Sequence, residues 1–162
     1  MKNEIFSTVA QQLSAQAFRV ASSDFSRPWG GFFVIDEEQT AQFIRTYFPT
    51  LTLDSFQAGA RLSPKILVVG PQKRLSWQYH FRRAEVWRVV DGPIAVAQSD
   101  TDEQTEPQTY QDGDLITLRQ GERHRLIGLD EWGVVAEIWQ HTDAENPSDE
   151  DDIVRVQDDF SR

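Results

Sequence analysis

The chain contains no cysteine. That excludes disulfides and thiolate metal sites, and it fits a cytoplasmic protein. No apolar run reaches the length of a membrane span, and the N-terminus lacks the basic-then-apolar signature of a secretory leader. Positive charge is in deficit, with 16 Lys and Arg against 26 Asp and Glu. A net charge of −10 argues against nucleic acid or an anionic membrane as partner. Neither an internal repeat nor a linker is visible. The 162 residues therefore read as one domain, long enough to close a core.

What is present is unevenly spread. Arg61, Lys65, Lys73, Arg74, Arg82, Arg83 and Arg88 crowd one stretch, where Glu85 is the only acid between Arg61 and Val90. The last twenty residues hold eight acids. Screening beyond roughly 8–10 Å lets a local basic field outweigh a distant acidic tail. The plainer reading is that most of these cations solvate outer strand faces.

Asn3–Phe18 carries Ile5, Val9, Leu13 and Ala17 at four-residue spacing, which predicts an amphipathic helix on the outside of the domain. Ser22–Arg27 reads as a loop, Pro28–Gly31 as a turn and Phe32–Ile35 as a strand. Glu37–Phe48 returns to a helical period and Pro49 ends it. From Ser63 onward, short apolar segments alternate with glycine turns. Ile66–Val69, Glu85–Val90, Ile94–Gln98, Leu115–Leu118, Arg123–Leu129 and Val134–Gln140 are the clearest strands, and they predict an all-β sandwich or barrel. Ser99–Gln108 reads as a long, solvated hairpin loop. The chain thus divides into an N-terminal extension (1–60), a barrel core (61–141) and a tail (142–162). His141 reads as a surface histidine.

Gly70 to Gly92 is the stretch around which the rest is organised. Strand alternation points Ser76, Gln78 and His80 to one side, so Gln78 and His80 can reach one ion. Glu85 can return on the next strand with an anionic oxygen. Gly70, Gln78, His80, Glu85 and Gly92 follow the order of the first cupin motif, with Gln in place of its first His. Leu75, Ser76, Gln78, His80, Arg83, Glu85 and Trp87 further resemble the isomerase domain of type II mannose-6-phosphate isomerases. Arg27-Pro28-Trp29-Gly30 and the tail EDDIVRVQDDFSR, residues 150–162, resemble the same family. The second cupin motif is kept at Gly113, Gly121 and His124, but Arg119 replaces its Pro and Gly128 its Asn.

The resemblance implies a cupin double-stranded β-helix, a jelly-roll barrel, with helical N-terminal additions. It implies one divalent metal on Gln78, His80, Glu85 and His124, zinc first, although such donors also suit Mn, Fe, Co or Ni. The activity implied is metal-dependent interconversion of mannose 6-phosphate and fructose 6-phosphate through an enediol. Lys65 would hold an oxygen or act as acid/base, or else be a surface strand lysine. Glu137 would be a partly buried base, or else pair with an arginine. Arg155 matches the catalytic arginine of the family's tail, which is expected to dock through Ile153 and Val156. With no mononucleotide-binding glycine segment, pyrophosphorylase activity is not expected. The partner expected is a small sugar phosphate, and a barrel face could pair a homodimer. A non-catalytic sugar- or metal-binding cupin and an isomerase or epimerase for another sugar remain open.

Overall fold

The computed structural model describes residues 1–56 and 60–160. Helix α1 (Lys2–Ala15) buries Phe6, Val9 and Leu13. It stops short of the expected Phe18 because Ala17 adopts the left-handed conformation at φ 62°. Ala17 N–H then donates to Ser14 C=O and Phe18 N–H to Leu13 C=O, a Schellman closure sealed by buried Leu13 and Phe18. Strand β1 (Val20–Asp24) lies where a loop was expected. Its exposed edge position leaves no apolar alternation to read. Strand β2 (Gly30–Ile35) follows, then a 3-10 turn (Glu37–Gln39) and α2 (Thr40–Tyr47).

The remaining described strands are β3 (Lys65–Val69), β4 (Trp77–Tyr79), β5 (Arg83–Asp91), β6 (Ile94–Ser99), β7 (Gln108–Tyr110), β8 (Leu115–Leu118), β9 (Arg123–Gly128), β10 (Gly133–His141) and β11 (Val154–Gln157). They form two antiparallel sheets, ordered β1-β2-β3-β10-β5-β8 and β11-β4-β9-β6-β7. Alternation gives the larger sheet two buried faces. Ile66, Val68, Val86, Val134, Ala136 and Ile138 face outward and are covered by Phe6, Leu13, Phe43, Phe48 and Phe56 of the N-terminal extension. Leu67, Val69, Trp87, Val89 and Val135 face inward and meet Ile94, Val96 and Leu126 of the smaller sheet.

Two local devices set the entries to the site. Glu37 accepts hydrogen bonds from the backbone N–H groups of Leu62 and Ser63, at 2.9 and 3.0 Å, which fixes the start of β3. Gly128 donates its N–H to Lys73 C=O, and a Cβ there would collide with the Gly70 carbonyl oxygen. That close approach explains why no Asn side chain stands at this position. The 99–108 segment is exposed yet not merely solvated. The Asp102 carbonyl accepts from Trp77 Nε1 at 2.8 Å, and Gln104 Oε1 accepts from Arg125 at 3.1 Å, so the loop covers the outer face of the smaller sheet.

Candidate active site

His80, Glu85 and His124 are buried, and their ligand atoms lie within 4.8 Å of one another. His80 sits just after β4, Glu85 on β5 and His124 on β9, so three strands converge. Gly121, at φ 75°, makes the turn that leads into His124. His80 Nδ1 is 2.7 Å from the Asp152 carbonyl and His124 Nδ1 is 3.2 Å from the Glu122 carbonyl. A carbonyl only accepts, so both rings carry a proton on Nδ1 and turn Nε2 inward. Those Nε2 atoms stand 3.6 and 3.3 Å from Glu85 Oε1. Two oriented imidazoles and a carboxylate, each held by an outer partner, fit a divalent cation.

Arg83 holds the other oxygen of Glu85, with Nε 3.1 Å from Oε2. Burial by itself pushes the Glu85 carboxyl up. The charges of His80 and Arg83, with hydrogen bonds from both histidines, more than offset this and hold it well below the usual carboxylate range. The donor oxygen is therefore anionic at neutral pH.

Beside this group lies a cavity of about 170 Å³. Lys65, Gln78, Glu85, His124, Glu137 and Arg155 all line it. Register explains the convergence. On the larger sheet Lys65 pairs with Glu137 and Glu137 with Trp87. On the smaller sheet Arg155 pairs with Gln78 and Gln78 with His124. Paired residues share a face, so the two ladders look at each other across the barrel.

Glu137 is 7% exposed and accepts a hydrogen bond from Trp87 Nε1 at 3.0 Å. Its partner is thus an indole and not an arginine. Burial, reinforced by the charge of Glu85, raises its pKa to about 7. A carboxyl in that range can give and take a proton near neutral pH. Lys65 is a cavity residue and not a surface one. Its Nζ lies 3.0 Å from Glu150 Oε1 and 5.2 Å from the centre of the Trp139 ring.

A family described as mannose-6-phosphate isomerase C-terminal matches residues 36–158, well over half the chain. The chain belongs to this family. A comparison with curated proteins finds no match. Among solved structures, the capsular polysaccharide assembling protein CapF from Staphylococcus aureus is similar over 83% of this chain and 33% of its own, at 14% identity and a TM-score of 0.55. Vicilin from Corylus avellana is similar over 80% of this chain and 34% of its own, at 18% identity and a TM-score of 0.53. The chain spans about a third of the length of either. These likenesses establish the cupin barrel, and family membership makes the chain a sugar-phosphate-isomerase-like cupin. Among the described residues no helix is long and apolar enough to cross a membrane.

Several features of this site were not legible in the sequence. Arg83 stood in the motif, but its role as the clamp on Glu85 left no mark in the sequence. Its Nη1 also donates to Ser148 Oγ and the Asp149 carbonyl, which ties Glu85 to the tail. Asp152 accepts from the N–H groups of Phe81 and Arg82 at 2.8 and 2.9 Å. Its carbonyl also holds His80. An acid in an acidic tail carries no signal of either duty. His141 is buried and not on the surface. Its Nδ1 accepts from Ser148 N–H and its Nε2 faces the Arg61 carbonyl at 2.6 Å, so both nitrogens are engaged away from the metal group. In the tail Ile153 and Arg155 line the cavity, but Val156 is 37% exposed. Strand alternation turns Val156 outward, so the docking expected of it falls to Ile153 and polar contacts.

Proposed function

We propose that this domain interconverts mannose 6-phosphate and fructose 6-phosphate through an enediol. The observation that carries the reading is one cavity lined both by Glu137, a buried carboxylate with a pKa of about 7, and by Glu85 and His124 of the His80–Glu85–His124 group. Glu137 takes the proton from the carbon next to the carbonyl and returns it to the neighbouring carbon. The indole N–H of Trp87 keeps its carboxylate aimed. Lys65 and Arg155, from opposite sheets, hold the substrate's oxygens. Ile153 and Leu75 help close the cavity against water.

Gln78, His80, Glu85 and His124 would hold the divalent cation, zinc first. When bound it supplies Lewis-acid polarisation of the sugar carbonyl. A residual positive charge is expected, since Glu85 is the one anionic donor of the four.

The test is proton exchange. Metal-supplemented protein is incubated with mannose 6-phosphate in deuterated water and followed by NMR at C1 and C2. Deuterium entry with formation of fructose 6-phosphate, lost on chelation and in a His80→Ala/His124→Ala variant, is the expected result. Exchange without ketose would point to another sugar. Binding without exchange or product would make the domain a silent binder and overturn the reading.

A further inference from the structure

Lys65 is the observation that leads further. Its side chain is 12% exposed, yet the carboxylate it pairs with belongs to Glu150, which is 54% exposed. Both lie on the cavity wall. Glu150 Oε1 and Oε2 stand 3.0 and 3.3 Å from Lys65 Nζ, so the carboxylate straddles the ammonium. Arg61 Nη2 lies 3.8 Å from the same Oε1.

The backbone on either side of Glu150 is pinned. Arg83 donates to the Asp149 carbonyl, and the Asp152 carboxylate takes the N–H groups of Phe81 and Arg82. Glu150 itself sits in the turn between them, and among the described residues its side chain reaches back to Lys65 and Arg61. It can swing into solvent by rotating its own side-chain bonds, without unseating the tail. Solvent can rehydrate a half-exposed acid, which lowers the cost of giving up such a pairing. A phosphate monoester brings nearly twice the charge and three acceptor oxygens to the same cations.

We infer that Lys65, assisted by Arg61, is the anion subsite of this cavity, and that Glu150 is the internal carboxylate a ligand's phosphate displaces. The inference rests on the sugar-phosphate reading above and adds which residues take the charged end. Lys65 is then a specificity residue for phosphorylated over neutral sugars, and the base duty stays with Glu137. Glu150 acts as a competing anion built into the chain. It keeps the lysine neutralised between turnovers and raises the affinity threshold for any anion weaker than a phosphate ester.

The probe is a hexitol 6-phosphate, which has no carbonyl and cannot isomerise, measured by calorimetry beside the neutral hexitol. Glu150→Gln removes the competing charge and should tighten the hexitol phosphate three- to tenfold while leaving the neutral hexitol unchanged. Lys65→Met should weaken the hexitol phosphate more than tenfold and the neutral hexitol little. Should Lys65→Met fail to fold, Glu150→Gln decides alone, because its half-exposed side chain can be replaced without touching the core. Unchanged or weaker hexitol-phosphate binding by Glu150→Gln overturns the inference. So does equal tightening of the neutral hexitol. Proton exchange fails or succeeds independently of these titrations, so the two proposals can fall separately.

Discussion

The barrel carries an addition at each end of the chain, and the two are attached by opposite chemistry. The N-terminal extension lies on the outer face of the larger sheet through Phe6, Leu13, Phe43, Phe48 and Phe56, a dry aromatic layer. The tail lies across the mouth through directional bonds. Arg74 pairs with Asp159 and Arg82 with Asp149, while Arg83 and Arg125 grip tail carbonyls. Apolar burial is strong but indifferent to angle. A hydrogen bond or ion pair is weaker and tells the chain where each atom goes. The extension therefore supplies stability, while the tail fixes His80, Glu85 and Arg155.

The largest effect should come from breaking the extension. Phe43 is fully buried, and Phe43→Ala should cost about 3–5 kcal/mol in urea unfolding. Zinc bound per folded molecule should not change. A parallel loss of zinc affinity would erase the distinction between the two ends.

Asp152→Ala tests the other side. Two backbone N–H groups and Ser148 lose their acceptor, which should cost about 2–3 kcal/mol. The loosened carbonyl behind His80 should weaken zinc binding roughly 10- to 100-fold in a competition titration. Wild-type zinc affinity in a destabilised Asp152→Ala protein would make the tail an ordinary prop.

Glu137→Gln sharpens the picture where barrel and tail meet. The folded protein holds this proton more tightly than the unfolded chain, from a pKa of about 7 against an ordinary 4.5. Wild-type stability should therefore fall as pH rises from about 4.5 through 7, and Gln should lack that slope. In thermal melts of chelated protein, the variant's Tm should gain a few degrees on wild type between pH 5 and pH 8.5. Parallel slopes would remove Glu137 as the titrating group. The smallest effect belongs to Arg74→Ala. It removes a half-exposed pair and should cost under about 1 kcal/mol, shrinking further in high salt.

What the sequence disclosed follows the same division. The group of His80, Glu85 and His124 could be read from motifs whose spacing strand alternation and glycine turns constrain. The outward sheet face was readable because apolar residues must be hidden. The exposed edge Val20–Asp24 has no such obligation, so its strand was invisible. Directional polar bonds also leave no periodicity. Asp152, His141 and Arg83 look like any surface acid, histidine or arginine until the chain folds over them. The acidic tail and the basic stretch were visible as separate patches, but not that one lies on the other.

Arg125 has a consequence for motion. Its buried guanidinium donates to the Leu75 carbonyl, to Gln104 of the 99–108 loop and to the Gln157 carbonyl of the tail. Burial, then the neighbouring Arg74 charge, pushes its pKa down, so the cation already sits in a costly place. Lifting the tail alone would take the Gln157 acceptors away from that charge. The loop and tail are therefore fastened by one latch and should open as one cooperative unit. In hydrogen exchange the amides of 154–157 should take up deuterium in step with those of 102–105. A loop on the far side of the small sheet is thus tied to the strand that carries Arg155.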